Sequence, residues 1–452
     1  MSTIAAITHT RQSLKNGGQV VVLNTDATIN AESEAMLQAL HSRSTEGIDG
    51  HLEILAEKGS EKFMSTFYVG YGHKSIGDCG SATLFIEGVS MLAAKAIQDW
   101  KLYSGQESST RYIDFAEQAF MNPAGSSEGE EIVETWRTFY LKAVNEMQTV
   151  LKERFPLGEG EKESVYNKAI AARAFDTTRG FLPAGATTNL AWHGNLRQFA
   201  DKVTQLRHHP LAEVREIAEA TEQALLTAFP NSFTDKRYET SEEYTKLVMN
   251  THYYHHDVDC PKLKLVRNGI DVDRLATHRE VLEKRPQYAE LPKSLGTLGE
   301  VEFDYLLDFG SFRDIQRHRA ITQRMPLLTS DIGFNDWYLD ELSDSLKAEA
   351  TDLIAELKAK TDALDISPEA KQYYVPMGYN VACNFSGDLP AVVYMVELRA
   401  TRFVHPTLRY QAADMANILS DTFASAGLTI HLDQDIDRFD VKRGEHDITT
   451  KE

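Results

Sequence analysis

The sequence predicts an α+β fold built as two tandem copies of one unit, each a small antiparallel sheet plus long helices. Three observations carry this. Helical periodicity dominates the 452 residues. A few short apolar, strand-like runs, such as 20–23, 82–87 and 301–307, interrupt it. One order of features also occurs twice: Leu182-Pro183-Ala184-Gly185 stands ahead of Arg207 at nearly the spacing at which Val375-Pro376-Met377-Gly378 stands ahead of Arg399. Two repeats are a duplication, whereas a solenoid needs three or more.

The elements follow in order. Val20 to Leu23 is an apolar run closed by Asn24-Thr25-Asp26, and Glu32 to Leu40 has helical spacing. A glycine-rich stretch from Gly70 to Ser75 leads into Thr83 to Gly88, a strand or a helix start, and Met91 to Trp100 reads as helix. Residues 103–112 are polar and turn-like. Ile132, Trp136, Phe139, Tyr140, Val144, Met147 and Leu151 share one helical face. Helical patterns follow near 189–207 and 211–228. In the second half Val301 to Leu307 alternates and Phe312 to Arg319 continues it with arginines. Leu342, Leu346, Leu353 and Leu357 mark an amphipathic helix, and further helices reach Arg399 and run from Leu408 toward Phe423. The boundary is placed in the polar stretch Asn231 to Glu243, giving repeats 1–237, with an extension 1–60, and 238–452.

At 42% hydrophobic and 25% charged residues, the chain can bury a core without metals or disulfides. No apolar run is long enough for a membrane span, the N-terminus lacks a signal pattern, and three scattered cysteines make no scaffold, so a cytoplasmic protein is expected. A net charge of -20 repels nucleic acid and anionic lipid. A small anionic substrate is still compatible with that charge wherever arginines gather within a Debye length, about 8–10 Å.

Arg317-His318-Arg319 is the densest basic cluster, with Arg313 one helical turn earlier. Guanidinium groups grip phosphate in bidentate fashion, although such a run in isolation is most simply a solvated helix end. Glu107, Ser109 and Arg111 alternate to one side of an extended loop and offer a carboxylate, a hydroxyl and a guanidinium, a set suited to a pyrimidine nucleotide; the bland reading is a polar turn. Arg179, Asn195, Arg197, Arg207 and Arg399 add polar and cationic candidates around the Pro-Gly interruptions. His252, His255, His256 and Cys260 match no zinc spacing, so no metal is expected. Gly70-x-Gly72-x-x-Ser75 is only loosely a dinucleotide loop, and no GxxxxGK[ST] or GxSxG is present.

Taken in order, these pieces resemble the flavin-dependent thymidylate synthases. The first half supplies Gly72-His73-Lys74-Ser75, Gln106-Glu107-Ser108-Ser109-Thr110-Arg111-Tyr112, Arg179-Gly180-Phe181-Leu182-Pro183, Asn195-Leu196-Arg197 and Leu206-Arg207. The second supplies Arg317-His318-Arg319, Pro376 and Leu398-Arg399. The departures are complementary. Asp99-Trp100-Lys101 stands where the first half would carry Arg-His-Arg, and the second half has lost the Glu-x-Ser-x-Arg-Tyr stretch, has Asp388-Leu389-Pro390 for Asn-x-Arg, and has Gln372 for Arg179.

The resemblance implies reductive methylation of a pyrimidine nucleotide, dUMP to dTMP, with FAD as cofactor, 5,10-methylenetetrahydrofolate as one-carbon donor and NADPH as reductant. It implies substrate contacts at Glu107, Ser109, Arg111 and Arg179, cofactor contacts at Ser75, Asn195, Arg197, Arg317, His318 and Arg319, and catalytic roles for Arg207 and Arg399. It also implies a homodimer that forms a pseudo-tetramer, with a site composed from both repeats. A flavoprotein acting on another nucleotide and a non-catalytic nucleotide-binding descendant are the competing expectations.

Overall fold

Along Ser81–Ser90 and Thr187–Asn195, buried and more exposed side chains largely alternate, as a strand with one covered face requires. The computed structural model describes residues 9–23, 29–42, 48–70 and 72–433, so Asn24-Thr25-Asp26 and Tyr71 lie outside the described residues. The chain divides into two compact units, Met1–Ile113 with Thr187–Tyr253, and Asp114–Ala186 with Tyr254–Glu452.

The first unit holds a five-stranded antiparallel sheet of β1 (His9–Ser13), β2 (Gln19–Leu23), β3 (Ser81–Ser90), β4 (Ser104–Glu107) and β5 (Thr187–Asn195), in the order β1-β2-β3-β5-β4. Val20 pairs with Ile86, and Leu84 with Trp192, and all four are fully buried. Full burial of such a side chain contributes about 1.5–3 kcal/mol. The Met91–Gln98, Leu196–Leu206 and Ala212–Ala228 helices accompany this sheet.

The second unit contains β6 (Tyr254–His255), β7 (Leu263–Asn268), β8 (Glu300–Asp308), β9 (Thr322–Gln323), β10 (Met325–Pro326) and β11 (Asn380–Asp388). β7-β8-β11-β9 form an antiparallel sheet, and β6 pairs with β10. Phe303 pairs with Phe385, their ring centroids 5.5 Å apart. The Ser127–Arg154 and Glu163–Thr178 helices belong to this unit, together with Phe309–Ile315, Asp344–Ala363, Leu389–Arg399 and Pro406–Thr422.

The α+β expectation therefore holds. Both sheets share an internal order, β2-β3-β5-β4 in one and β7-β8-β11-β9 in the other. In each, the two central strands run straight into helices through a capping residue. Ser90 and Asp308 accept from Ala93 N (3.0 Å) and Ser311 N (2.9 Å). Asn195 and Asp388 accept from Gln198 N and Ala391 N, both at 2.9 Å. Each cap satisfies a helix N–H that would otherwise lack a partner.

Within the second unit the two Pro-Gly interruptions meet. Pro183 forms an antiparallel bridge with Pro376. Ala184 N donates to Val375 O (3.0 Å) and Met377 N to Leu182 O (2.9 Å). Gly185 N donates to Tyr373 O (2.9 Å) and Gly378 N to Gly180 O (2.8 Å). One shift in numbering maps each bond of a pair onto its mate. The approach is too close for side chains: a Cβ on Gly185 would lie 2.6 Å from Tyr373 O, and one on Gly378 would lie 2.5 Å from the Phe334 ring. Gly185→Ala is expected to destabilise the protein by about 1–3 kcal/mol, the usual range for overpacking. A urea midpoint identical to the parent's would show that this crossing is slack.

Some sequence expectations need correction. The helix read over 189–207 begins as β5, and only Leu196–Leu206 is helical. The approach to Arg399 likewise begins as β11. Residues 103–112 contain β4, whose polar side chains hid a strand that pairs through its backbone. Phe312 does not continue β8; it lies in the Phe309–Ile315 helix. Spatially, 114–186 pack with the second unit, while in the repeats read from sequence they belong to the first.

Candidate functional site

The residues singled out from sequence fall into two sets. Ser75, Glu107, Ser109, Arg111, Asn195, Arg197 and Arg207 lie in the first unit, and Arg179, Arg317, His318, Arg319 and Arg399 in the second.

In the second unit Asp314 is the organising group. It lies on the Phe309–Ile315 helix, its Oδ1 3.6 Å from Arg317 Nη1. Burial opposes its ionisation, but Arg317, Arg399, Arg179 and Arg313 together hold the carboxyl below its ordinary value. The charges of four guanidinium groups, from three separated parts of the chain, thus act on one carboxyl group, and Arg317 pairs with it directly. Arg399, the last residue of its helix, donates from Nε to His318 Nε2 at 2.7 Å. An arginine can only donate, so Nε2 is the acceptor and the neutral imidazole carries its proton on Nδ1. His318 is 8% exposed. Burial, then the charge of Arg399, pushes its pKa down to about 3. This histidine is a fixed neutral group at working pH. Arg317 remains half exposed, and Arg319 Nη1 reaches Arg317 O at 3.3 Å.

Arg179 is held by a chain of hydroxyls and an imidazole. Its Nη2 donates to Ser311 Oγ (3.0 Å), which pairs with Thr407 Oγ1 (2.8 Å). Thr407 Oγ1 pairs with His405 Nδ1 (2.9 Å), and His405 Nε2 reaches Asp176 O (3.1 Å). Asp308 anchors the same region by accepting from Ser311 N and from Tyr338 OH, each at 2.9 Å. Arg179 Nε is buried and has no hydrogen-bond partner, so the guanidinium retains an unused donor. Sequence reasoning missed Asp314, Ser311 and Thr407. Only the spacing of Asp314 from Arg317, one helical turn, could have pointed to the first.

In the first unit a cavity of about 630 Å³ has Arg197 and Arg207 in its wall. Its lining carries Lys74, Arg197, Arg207, Lys236 and Arg237 against Asp201, Glu222 and Glu242, an excess of positive charge in an acidic chain. Tyr68, Trp100 and Tyr238 supply aromatic surface. Arg207 is clamped by Glu222 (2.9 Å) and Glu242 (2.6 Å), and Arg197 pairs with Asp78 (2.9 Å). Asn195 is engaged as a helix cap. Ser75 is exposed in the short Lys74–Gly77 helix.

Glu107 is not an open acceptor. Its side chain is 2% exposed and forms a 2.5 Å ion pair with Lys95, itself 1% exposed. Gln98 Nε2 donates to the same carboxylate oxygen at 2.8 Å. Ser109 Oγ caps a short helical turn by accepting from Arg111 N at 3.4 Å. The clue to the Lys95 pairing was a lysine inside Met91–Gln98, a helix buried along its whole length, where a charge needs a partner. Cys260 is packed, its Sγ 3.5 Å from Tyr305 O, and burial raises its thiol to about 11.

Residues 22–231 match the family model described as thymidylate synthase complementing protein. A UPF0159 protein of Chlamydia muridarum is 26% identical over 404 residues, covering 76% of this chain and 76% of that protein. A flavin-dependent thymidylate synthase of Corynebacterium efficiens is 26% identical over 184 residues, covering 39% of this chain and 70% of that one. Among solved structures, a UMP/dUMP methylase PolB from Streptomyces cacaoi covers 49% of this chain and 93% of its own at 15% identity, with a TM-score of 0.29.

Proposed function

We propose that this chain, whose residues 22–231 match the family model described as thymidylate synthase complementing protein, is a flavin-dependent enzyme that methylates a pyrimidine nucleotide, dUMP to dTMP. The observation that supports it best is the arginine cluster around Asp314. There the charges of Arg179, from the matched segment, and of Arg317 and Arg399, far downstream, all act on the Asp314 carboxyl. A half-buried cluster of guanidinium groups with an unused donor on Arg179 suits an anionic ligand.

FAD fits these residues. Arg317 and Arg399 are placed to neutralise phosphate, and His318 is a neutral donor that does not compete for charge. Bound there, the flavin supplies the redox chemistry that a one-carbon transfer from methylenetetrahydrofolate with NADPH requires. The protein's own part is to orient the nucleotide through Arg179, whose position is fixed by Ser311 and Thr407, and to stabilise negative charge on the ring through the fixed guanidinium array.

The matching strand orders and the reciprocal bonds at Pro183 and Pro376 support a tandem duplication, so that this site draws on both repeats. Two such chains would then form the pseudo-tetramer.

An absorbance titration of the purified chain with FAD, then dUMP, tests the reading. Flavin bands that saturate near one per site, are perturbed by dUMP, and accompany dTMP formation with methylenetetrahydrofolate and NADPH are expected. A folded chain that takes up no flavin would overturn it. Asp99-Trp100-Lys101 in the first unit favours a second reading for that unit alone: its cationic cavity binds nucleotide without flavin chemistry.

A further inference from the structure

The second unit holds another cavity, about 590 Å³, walled by the Arg285–Leu291 segment and the outer face of the Leu389–Arg399 helix with the residues that follow it. We propose that this cavity is a binding site for an uncharged planar heteroaromatic ligand of the nucleobase or nucleoside class, gripped by Tyr288, Tyr394 and Phe403.

The floor is built from paired side chains. Arg285, 4% exposed, makes a two-point ion pair with Glu397 and also donates to Ala289 O (2.7 Å) and Thr429 O (2.9 Å). His431 N donates to Glu397 Oε1 (2.8 Å), and His431 Nε2 donates to Arg285 O (2.9 Å). The carbonyl accepts, so Nε2 carries the hydrogen of this bond.

The rim is aromatic. Tyr394 and Phe403 are 48% and 44% exposed, and Tyr288 is 92% exposed. Tyr288 is the only non-glycine residue with positive φ, +69°, among the described residues. It occupies the third position of the turn closed by Ala289 N to Pro286 O (3.2 Å), where positive φ normally calls for glycine or asparagine. A bulky residue there is strained, and an almost fully exposed ring gains no packing to offset the strain. An aromatic ring held in this way at a cavity mouth has a role as a stacking surface.

Charge selects the ligand. Glu290, Glu397 and Asp433 outnumber Arg285 and Arg402 in the lining, the reverse of the first unit's cavity, so a phosphate is disfavoured. Tyr394 also packs edge-on against His318, ring centroids 6.1 Å apart, so an occupant touches a side chain that buttresses the arginine cluster.

Isothermal titration of the full chain with thymidine, uridine and adenosine, and with their 5′-monophosphates, tests the site without any flavin readout. At least one nucleoside is expected to bind, with affinity falling at least tenfold in both Tyr288→Ala and Phe403→Ala. Tyr288→Gly is expected to lose affinity equally while raising the melting temperature, because glycine accepts the backbone conformation. The proposal is overturned if no nucleoside binds at millimolar concentration, if neither alanine variant weakens binding, if monophosphates bind this rim more tightly than nucleosides, or if Tyr288→Gly melts lower than the parent.

Discussion

Lys95→Met is expected to destabilise the protein by about 3–5 kcal/mol, because removing one partner of a buried pair strands the other charge. Both side chains are at most 2% exposed, and Gln98 bonds to both. Coulomb attraction and hydrogen bonds offset the cost of burying the pair only while both members are present. The double variant Lys95→Met with Glu107→Leu is therefore expected to recover most of the loss, since a buried ion pair is often replaced by apolar side chains at little cost. Urea denaturation of the two single variants and the double variant makes a thermodynamic cycle with a large coupling term. The same variants test the substrate role read for Glu107 from sequence. If the double variant is stable and its affinity for dUMP equals that measured for the parent, Glu107 serves the fold alone.

Acidification is expected to weaken the native state through His318. Its pKa of about 3 in the folded protein lies far below its ordinary value of 6.5. As pH falls, the unfolded chain takes up this proton first, so stability is fully present above about pH 6.5. It then declines by about 1.4 kcal/mol per pH unit until about pH 3. The cause is the burial of the ring, reinforced by Arg399, which occupies Nε2 with a donor that never gives up its charge. His318→Gln is expected to remove this slope, and Arg399→Gln to reduce it by raising the histidine's pKa. Denaturant midpoints between pH 7 and 4.5 measure the slope, and the His318 imidazole resonances report the proton directly. Titration of those resonances near pH 6 in the parent would contradict the fixed neutral state.

Strong periodicity made the long helices legible. The face from Ile132 to Leu151 lies in Ser127–Arg154, and Leu346, Leu353 and Leu357 lie in Asp344–Ala363. The apolar alternation of 301–307 is β8. The strands β5 and β11 were hidden because each passes without a turn into a helix, so a helical reading ran backward through the cap residues Asn195 and Asp388. At the site, Arg317-His318-Arg319 was visible as a basic cluster in an acidic chain, and Arg399 as a separate cation after a Pro-Gly interruption. The carboxylate that gathers them was not, because nothing local to Asp314 signals that Arg179 and Arg399 approach it. Glu107 shows the opposite pattern: its loop reads as polar and open, and tertiary packing against the Met91–Gln98 helix closes it.

The paired bonds at Pro183 and Pro376 have a consequence for concentration. A segment that donates and accepts in the same places as its counterpart is complementary to a copy of itself. Were the two segments on separate chains, their pairing would obey mass action and dissociate on dilution. Joined in one polypeptide, they meet at an effective concentration on the order of millimolar, set by the connecting chain and not by expression level. The crossing that positions Arg179 beside Ser311 therefore stays closed at any protein concentration.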